Sequence, residues 1–520
     1  MPASEPGVIP LYPEFFNDVF GPVMQPGSSS HLAGPCRLGQ LAASLLGEPP
    51  RRVEFDLDPA GSFAGTFGLM NEDLGLAAGV LGLGPEDPLL FDSRGEARRR
   101  GLDLVFGFVP IAESGHPNAV KIRMAGPTRT VTLVGNSVGG GMVDVVSLEG
   151  FPVHFQGDTP VVLVFGDCSY RPPEVLESGR SERDGRILVW FKTVHRPADL
   201  PQGVLSLGTI LPVPTLPGRK PQLFDSMAGW RALADGAGTG LAEIALRYEE
   251  AASAWPRPRI IAAMEKIRAL LHAQVHGAFG PVGEGPESPF SRRYDRLWAP
   301  RLEAGRAFLG PVTGQALKLA LGVNAKVRGV PIVPGPMGTG GGYLYSVLWA
   351  CQQDRGYPDE AMLRGLFVAA GVGAIAYTRT EPTGEVIGCA GETGVCSAMA
   401  AAALVEMAGG TPLQGEHAAS FAIQAATGLP CDPIPGGFEQ PCLSRIVSAV
   451  TNALAFADLA LAGADATLPF HEALDAADRV GRALSPDLKC TSRGGCCATP
   501  TGRRLAEQFR SWSQAGRPTA

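Results

Sequence analysis

Residues 428–442 read GLPCDPIPGGFEQPC. Pro and Gly are too dense here for a helix, yet helical patterns flank the stretch on both sides. The helix before it ends at Thr427-Gly428, and LSRIVSAVTNALAFADLALAG opens at Cys442. A turn of restricted geometry thus joins two helices and carries two cysteines, Cys431 and Cys442. A third, Cys389, stands in VIGCAGETGV, ahead of the apolar run Ala398 to Met407 that stops at Gly409-Gly410. Cys389 and Cys442 both lie at predicted helix N-termini, where free N–H groups and the helix dipole favour a thiolate. Thiolate is the form that binds metal.

Outward from this stretch the chain divides into two textures. SMAGWRALADGAGTGLAEIALRYEEAASAW and PRIIAAMEKIRALLHAQV space their apolar residues as helices do, and residues 221–510 read as all-helical. Residues 8–155 mix strand and helix signals. RRVEFDLDPAG alternates as a strand, TVTLVGNSVGGGMVDVVSLEGFPV reads as two strands split by a Gly run, and Gly39–Leu46 and Leu74–Leu83 look helical. Residues 156–200 add strand candidates, VVLVFGD and RILVWFKTV, around a polar loop, and residues 201–220 read as a Pro-rich linker. The expected fold class is α+β, an α/β part followed by a helical part.

The chain has 520 residues, of which 45% are hydrophobic and 18% charged, an ordinary globular balance. Net charge is −7 with no basic stripe, which speaks against nucleic acid or an anionic membrane surface as partner. The opening MPASEPGVIPLYPEFF is not patterned as a signal peptide, and apolar windows such as SAMAAAALVEMAG fall short of the ~18–20 residues of a membrane span. A cytoplasmic protein without membrane partners is expected, so its ten cysteines should be reduced. For any one of them the simplest role is a small buried hydrophobe, which suits Cys36, Cys168 and Cys351.

The spacings of Cys389, Cys431 and Cys442 match no compact zinc motif. On residue chemistry alone three possibilities stand: zinc with an open position, an iron–sulfur cluster lacking a fourth protein ligand, or three structural cysteines. His272 and His276, four apart on one helical face, also could bind metal, but a solvated helix surface is the simpler expectation.

Several motifs carry a resemblance to a known family. GCAGETGVCSAMAAAALVEMAGGTP, GLPCDPIPGGFEQPC and TNALAFADLALAG resemble the α portion of the iron–sulfur-dependent bacterial L-serine dehydratases. LSPDLKCTSRGGCCATPTGRRLAEQF is similar to that family's LRET…GGLA-TPTG segment. GPVMQPGSSSHLAGPCRLGQLA, GSFAGTFG, SGHPNAVKI and GNSVGGGMVDVVSLEGFPV resemble successive motifs of its β portion. The resemblance covers residues 17–155 and 221–510, in β-then-α order. Residues 156–200 sit where some members carry an ACT-type regulatory domain and would be a shortened remnant of one.

The resemblance implies a four-iron four-sulfur cluster on Cys389, Cys431 and Cys442, with one iron left free as a Lewis acid for a substrate hydroxyl. It makes His31 and His116 the leading acid–base residues, with Asp73 beside them. It makes Ser28, Ser29, Ser30, Asn118, Ser137 and Arg445 substrate-binding candidates. The implied substrate is a β-substituted amino acid, and a homodimer is expected. The pattern also breaks. GHGTD becomes LMNED, so a His is replaced by Met70 while Asp73 stays. APT-G-AG becomes GPMGTGGG, placing Met337 for a Thr; KRN becomes Ser444-Arg445-Ile446; and LRET becomes LKCT, introducing Cys490. A retained Cys triad beside altered pocket positions predicts a dehydratase-like lyase with a shifted substrate. Sulfide elimination from cysteine and a non-catalytic iron–sulfur sensor are the alternatives. Cys490 or Cys496 could cap the free iron; Cys396, Cys496 and Cys497 are expected to be buried.

Overall fold

In a computed structural model, which describes residues 12–166, 168–213, 221–277, 279, 292–327, 329–434 and 440–516, the alternating stretch RVEFDL forms strand β1 (Arg52–Leu57). It pairs in parallel with β2 (Asp103–Phe108) and antiparallel with β3 (Ala119–Ala125). Strands β4 (Thr130–Gly139), β5 (Met142–Leu148) and β6 (Phe151–Phe155) extend the sheet in the order β2-β1-β3-β4-β5-β6. Helix Gly34–Leu46 lies on it and ends at Gly47, whose φ of +68° suits the left-handed cap only glycine adopts freely. Helix Glu72–Val80 packs against that helix, and a side chain at Gly79 would collide with the Cys36 carbonyl. The absent side chain is what lets the two backbones meet. Leu38, Val53, Phe55, Ile122 and Leu133 fill the core between helix and sheet.

Strands β7 (Val161–Phe165), β8 (Val175–Arg183), β9 (Arg186–Thr193) and β10 (Val204–Leu207) form a second, antiparallel sheet in the order β10-β7-β9-β8. Two expectations change here. The polar loop between VVLVFGD and RILVWFKTV is largely strand β8, because cross-strand pairing with β9 overrides its polar composition. The predicted linker contributes β10, which completes the sheet; its residues 214–220 lie outside the described residues.

The helical half is built around Asp359–Arg379 and Val395–Met407, helices that are apolar on all sides and buried by their neighbours. Asp359–Arg379 and Cys442–Leu461 are in fact long and apolar enough to cross a membrane by length and composition, contrary to the estimate from shorter windows. The first is a core helix, 78% buried over its most apolar window; the second is 28% buried. The N-terminal aromatics also depart from expectation. Phe15, Phe16 and Phe20 enter the helical core, with Phe15 stacked on Tyr248, so residues 12–20 belong physically to the second half.

Candidate active site and metal centre

Cys389, Cys431 and Cys490 form one buried cluster, with exposures of 3%, 5% and 2%, against Met70 and Leu429. The Cys431 thiol touches those of both Cys389 and Cys490. Local structure explains the convergence. Gly388 takes a φ of +73° and packs against the Leu429 carbonyl, which accepts the Cys389 amide at 2.9 Å. A side chain at Gly384 would strike Cys431 Sγ. Cys442 opens helix Cys442–Leu461, half-buried and close enough for its charge to disfavour ionisation of Cys490. The turn between Cys431 and Cys442 lies outside the described residues at 435–439. The expected lowering of thiol pKa is overridden. Contact with Cys431, then burial, holds the Cys389 thiol well above its ordinary range. Burial pushes Cys490 up to about 12, although contact with Cys431 favours its thiolate. Metal binding here must therefore expel protons.

Arg445 supplies the compensating charge. Its Nη1 donates to Cys389 Sγ at 3.2 Å, and its Nη2 donates to Asp432. Asp432 Oδ2 in turn accepts the Cys496 amide at 2.6 Å, which ties the C-terminal segment to the thiol turn. Sequence reasoning missed Asp432 as a site residue, though it follows Cys431 directly.

His31 lies in a wide π-type turn, Ser29–Ala33, capped by Ser28. A second such turn, Ala390–Gly394, follows Cys389 directly; such turns concentrate at functional sites. His31 is fully buried. Its Nδ1 lies 3.2 Å from Glu385 Oε1 and its Nε2 3.0 Å from Ser62 Oγ. Ser30 donates to the same Glu385 oxygen at 2.9 Å, and Ser62 donates to the Cys490 carbonyl at 2.6 Å. Both hydroxyl protons are thus committed elsewhere. The His31 ring is therefore bracketed by Glu385 at one nitrogen and Ser62 at the other. Burial would raise the Glu385 carboxyl, but the bond and charge of His31 hold it down at about 2. Glu392, which with Cys389 and Cys431 places three ligand atoms within 4.8 Å of one another, is pushed up to about 8 by desolvation and then by the Glu385 charge. His31, Glu385 and Cys490 form a second such group. Thus the thiols share one site with His31 and Glu385.

His116 is also held by the helical half: its Nε2 lies 2.6 Å from Glu381 Oε1, while its Nδ1 accepts the Asn118 amide at 3.0 Å. One segment, residues 381–385, running into the short helix Gly384–Ile387, therefore grips both histidines. Neither Glu381 nor Glu385 was singled out from sequence, although TEPTGEVIGC places both just before Cys389. Asn118 Nδ2 donates to the Ser137 carbonyl at 3.4 Å, and its Oδ1 is buried with no hydrogen-bond partner among the described residues.

Other expected site residues have structural tasks. The Ser137 hydroxyl donates to the Ser30 carbonyl at 2.8 Å, and Ser29 to the Pro336 carbonyl at 3.4 Å, so both brace the His31 loop. Asp73 pairs with Arg94 at 2.9 Å in the first turn of its helix, an ion pair that anchors helix Ser93–Arg99. Ile446 is 1% exposed and packs in the helical core, and the Ser444 hydroxyl donates to the Pro441 carbonyl; Arg445 alone of the three reaches the thiols. His272 and His276, both half-buried, stack at 4.1 Å and abut Trp349. Cys36, Cys396 and Cys497 are buried as expected, but Cys168 and Cys496 are exposed and Cys351 is half-buried.

Comparison with known proteins agrees with this layout. The family model described as "Serine dehydratase alpha chain" matches residues 237–497. The chain is 34% identical over 219 residues to a probable L-serine dehydratase alpha chain of Bacillus subtilis, covering 42% of this chain and 73% of that protein. It is 36% identical over 209 residues to the L-serine dehydratase alpha chain of Peptoniphilus asaccharolyticus, covering 40% of this chain and 71% of that one. It is also 35% identical over 148 residues to the beta chain from the same organism, 28% of this chain and 66% of the relative. Similarity to separate alpha and beta chains within one polypeptide accounts for the two halves that meet at the thiols. The chain belongs to the serine dehydratase family, as an enzyme with a β-type part fused ahead of an α-type part.

Proposed function

We propose that this chain is an iron–sulfur-dependent lyase that removes water from L-serine or a related β-hydroxy amino acid. The resulting enamine would hydrolyse to a keto acid and ammonia. The relatives carry the name L-serine dehydratase, and the observation that carries the reading is the contact between a buried thiol group and the His31–Glu385 pair. The donor set fits a cluster: soft thiols, excluded from water, with a guanidinium on one sulfur. A four-iron four-sulfur cluster on Cys389, Cys431 and Cys442 would supply a Lewis acid for the departing hydroxyl.

The protein's own groups handle charge and protons. Arg445 offsets thiolate charge at Cys389, and Asp432 fixes the orientation of its planar fork. His31, oriented by Glu385 at Nδ1 and by Ser62 at Nε2, is the acid–base group for taking the proton beside the carboxylate and returning it to the departing oxygen. Asn118 offers an amide oxygen to the substrate ammonium, and Ser28 a hydroxyl to its carboxylate. His116, locked by Glu381, orients the Asn118 backbone.

The test is direct. Protein purified without oxygen should contain iron and sulfide and absorb broadly in the visible. It should release ammonia and a keto acid from serine, threonine or a larger β-hydroxy amino acid. Absence of turnover across that set would sink the proposal, and sulfide release from cysteine alone would replace water elimination with thiol elimination.

A further inference from the structure

We propose that Cys490 is a fourth cysteine ligand, closing in the resting protein the corner that Cys389, Cys431 and Cys442 leave open. The inference rests on the iron–sulfur reading above.

Cys490 is built into the thiol site by backbone, not only by proximity. Its amide donates to the Cys431 carbonyl at 2.6 Å, and the Cys431 amide donates to the Leu488 carbonyl at 2.9 Å. Lys489 and Cys431 form a parallel bridge. The two cysteines are thereby set side by side by paired main chains. Cys490 also has a φ of +56°, a conformation unfavourable for a residue with a side chain unless its surroundings impose it. The surroundings do impose it. The Ser62 hydroxyl holds the Cys490 carbonyl, and the Thr491 hydroxyl donates to the Asp487 carbonyl at 3.1 Å. Gly65 packs so closely on the Thr491 carbonyl that a side chain there would collide. A cysteine serving only to fill space would need none of this.

The position of the sulfur indicates which corner it occupies. Cys490 touches Cys431 on one side and shares a group with His31 and Glu385 on the other, with ligand atoms within 4.8 Å. It therefore stands between the thiol set and the acid–base pair, where a substrate hydroxyl must arrive. The Met70 thioether lies 3.8 Å from Cys490 Sγ, giving that side a soft, apolar lining. In this arrangement a Cys490 thiolate would fill the fourth position and protect the resting cluster from losing iron.

Ferricyanide oxidation of the anaerobic, reconstituted full-length protein tests this, followed by electron paramagnetic resonance. A four-iron cluster with an unligated corner gives up one electron to ferricyanide and one ferrous ion to solution, leaving a three-iron cluster. Wild type should resist this conversion, whereas Cys490→Ala and Cys490→Ser should convert roughly tenfold faster or more at equal initial iron and sulfide content. Equal rates in wild type and variants would overturn the inference while leaving the cluster itself intact. If the variants do not fold, the wild type decides alone, since prompt conversion on mixing overturns the assignment and resistance supports it. Wild type that takes up no iron, or Cys389→Ala that keeps its full iron content, would overturn the underlying iron–sulfur reading instead.

Discussion

His31 Nδ1 lies 3.2 Å from Glu385 Oε1, and these two side chains, one from each half of the chain, are 0% and 2% exposed. The pair makes the junction between the halves part of the site. Four residues before Glu385, Glu381 does the same for His116. Removing one member of a buried pair leaves the other uncompensated.

Glu385→Gln keeps the shape but removes the charge facing His31. Turnover should fall about 10²–10⁴-fold with little change in iron content, as ammonia release and iron assay would show. His31→Ala should cause a similar loss, and the double variant should lose far less than the sum. Additive losses would mean that the two residues do not act as a unit.

Arg445→Lys should not be conservative. A lysine cannot bridge Cys389 and Asp432 with a planar fork. Iron retention against a chelator should weaken roughly 10–100-fold, and Asp432→Asn should weaken it in the same direction. Unchanged retention in both would remove Arg445 from the metal centre.

Gly384→Ala would place a methyl 2.6 Å from Cys431 Sγ and 2.9 Å from its Cβ. Overpacking of this kind costs about 1–3 kcal/mol, and here it also displaces a thiol. Iron uptake should drop while circular dichroism stays native. Gly415→Ala is the control: its nearest neighbour, Leu241 Cδ1, is at 3.4 Å, and the helix should gain up to about 1 kcal/mol.

Glu392 gives a pH signature in the metal-free protein. Desolvation, then the Glu385 charge, raises its carboxyl to about 8 from its ordinary value of 4.5. The folded chain therefore holds this proton more tightly than the unfolded chain. Its contribution is full below pH 4.5 and is lost as pH rises toward 8. Glu392→Gln should accordingly melt a few degrees above wild type at pH 8, roughly 2–4 °C per kcal/mol, with the gap closing below pH 4.5. A gap that widens on acidification would reverse the assignment.

Much of this was legible in the sequence because it depends on local rules. Alternation marked β1, Gly and Pro bounded the helices, and the turn at 428–442 marked Cys431 and Cys442 as special. Expectation failed where partners far along the chain decide. Segments Val175–Arg183 and Val204–Leu207 are strands because β9 and β7 pair with them. Ile446, one residue past Arg445, turns into the helical core because helix geometry rotates successive side chains by about 100°. Ser137 looked available for substrate, yet it braces the Ser30 carbonyl.

By itself the sequence determined the order of the two halves and the helix-boundary setting of Cys389 and Cys442, while the pairing of SSSH and HPN with the cysteines was implied by the family resemblance. Tertiary structure alone decided that Cys490, 59 positions beyond Cys431, shares its cluster, and that Glu381 and Glu385 hold the two histidines. Periodicity and turn chemistry act over a few residues, whereas a buried charge or thiol is defined by whichever distant groups exclude its water.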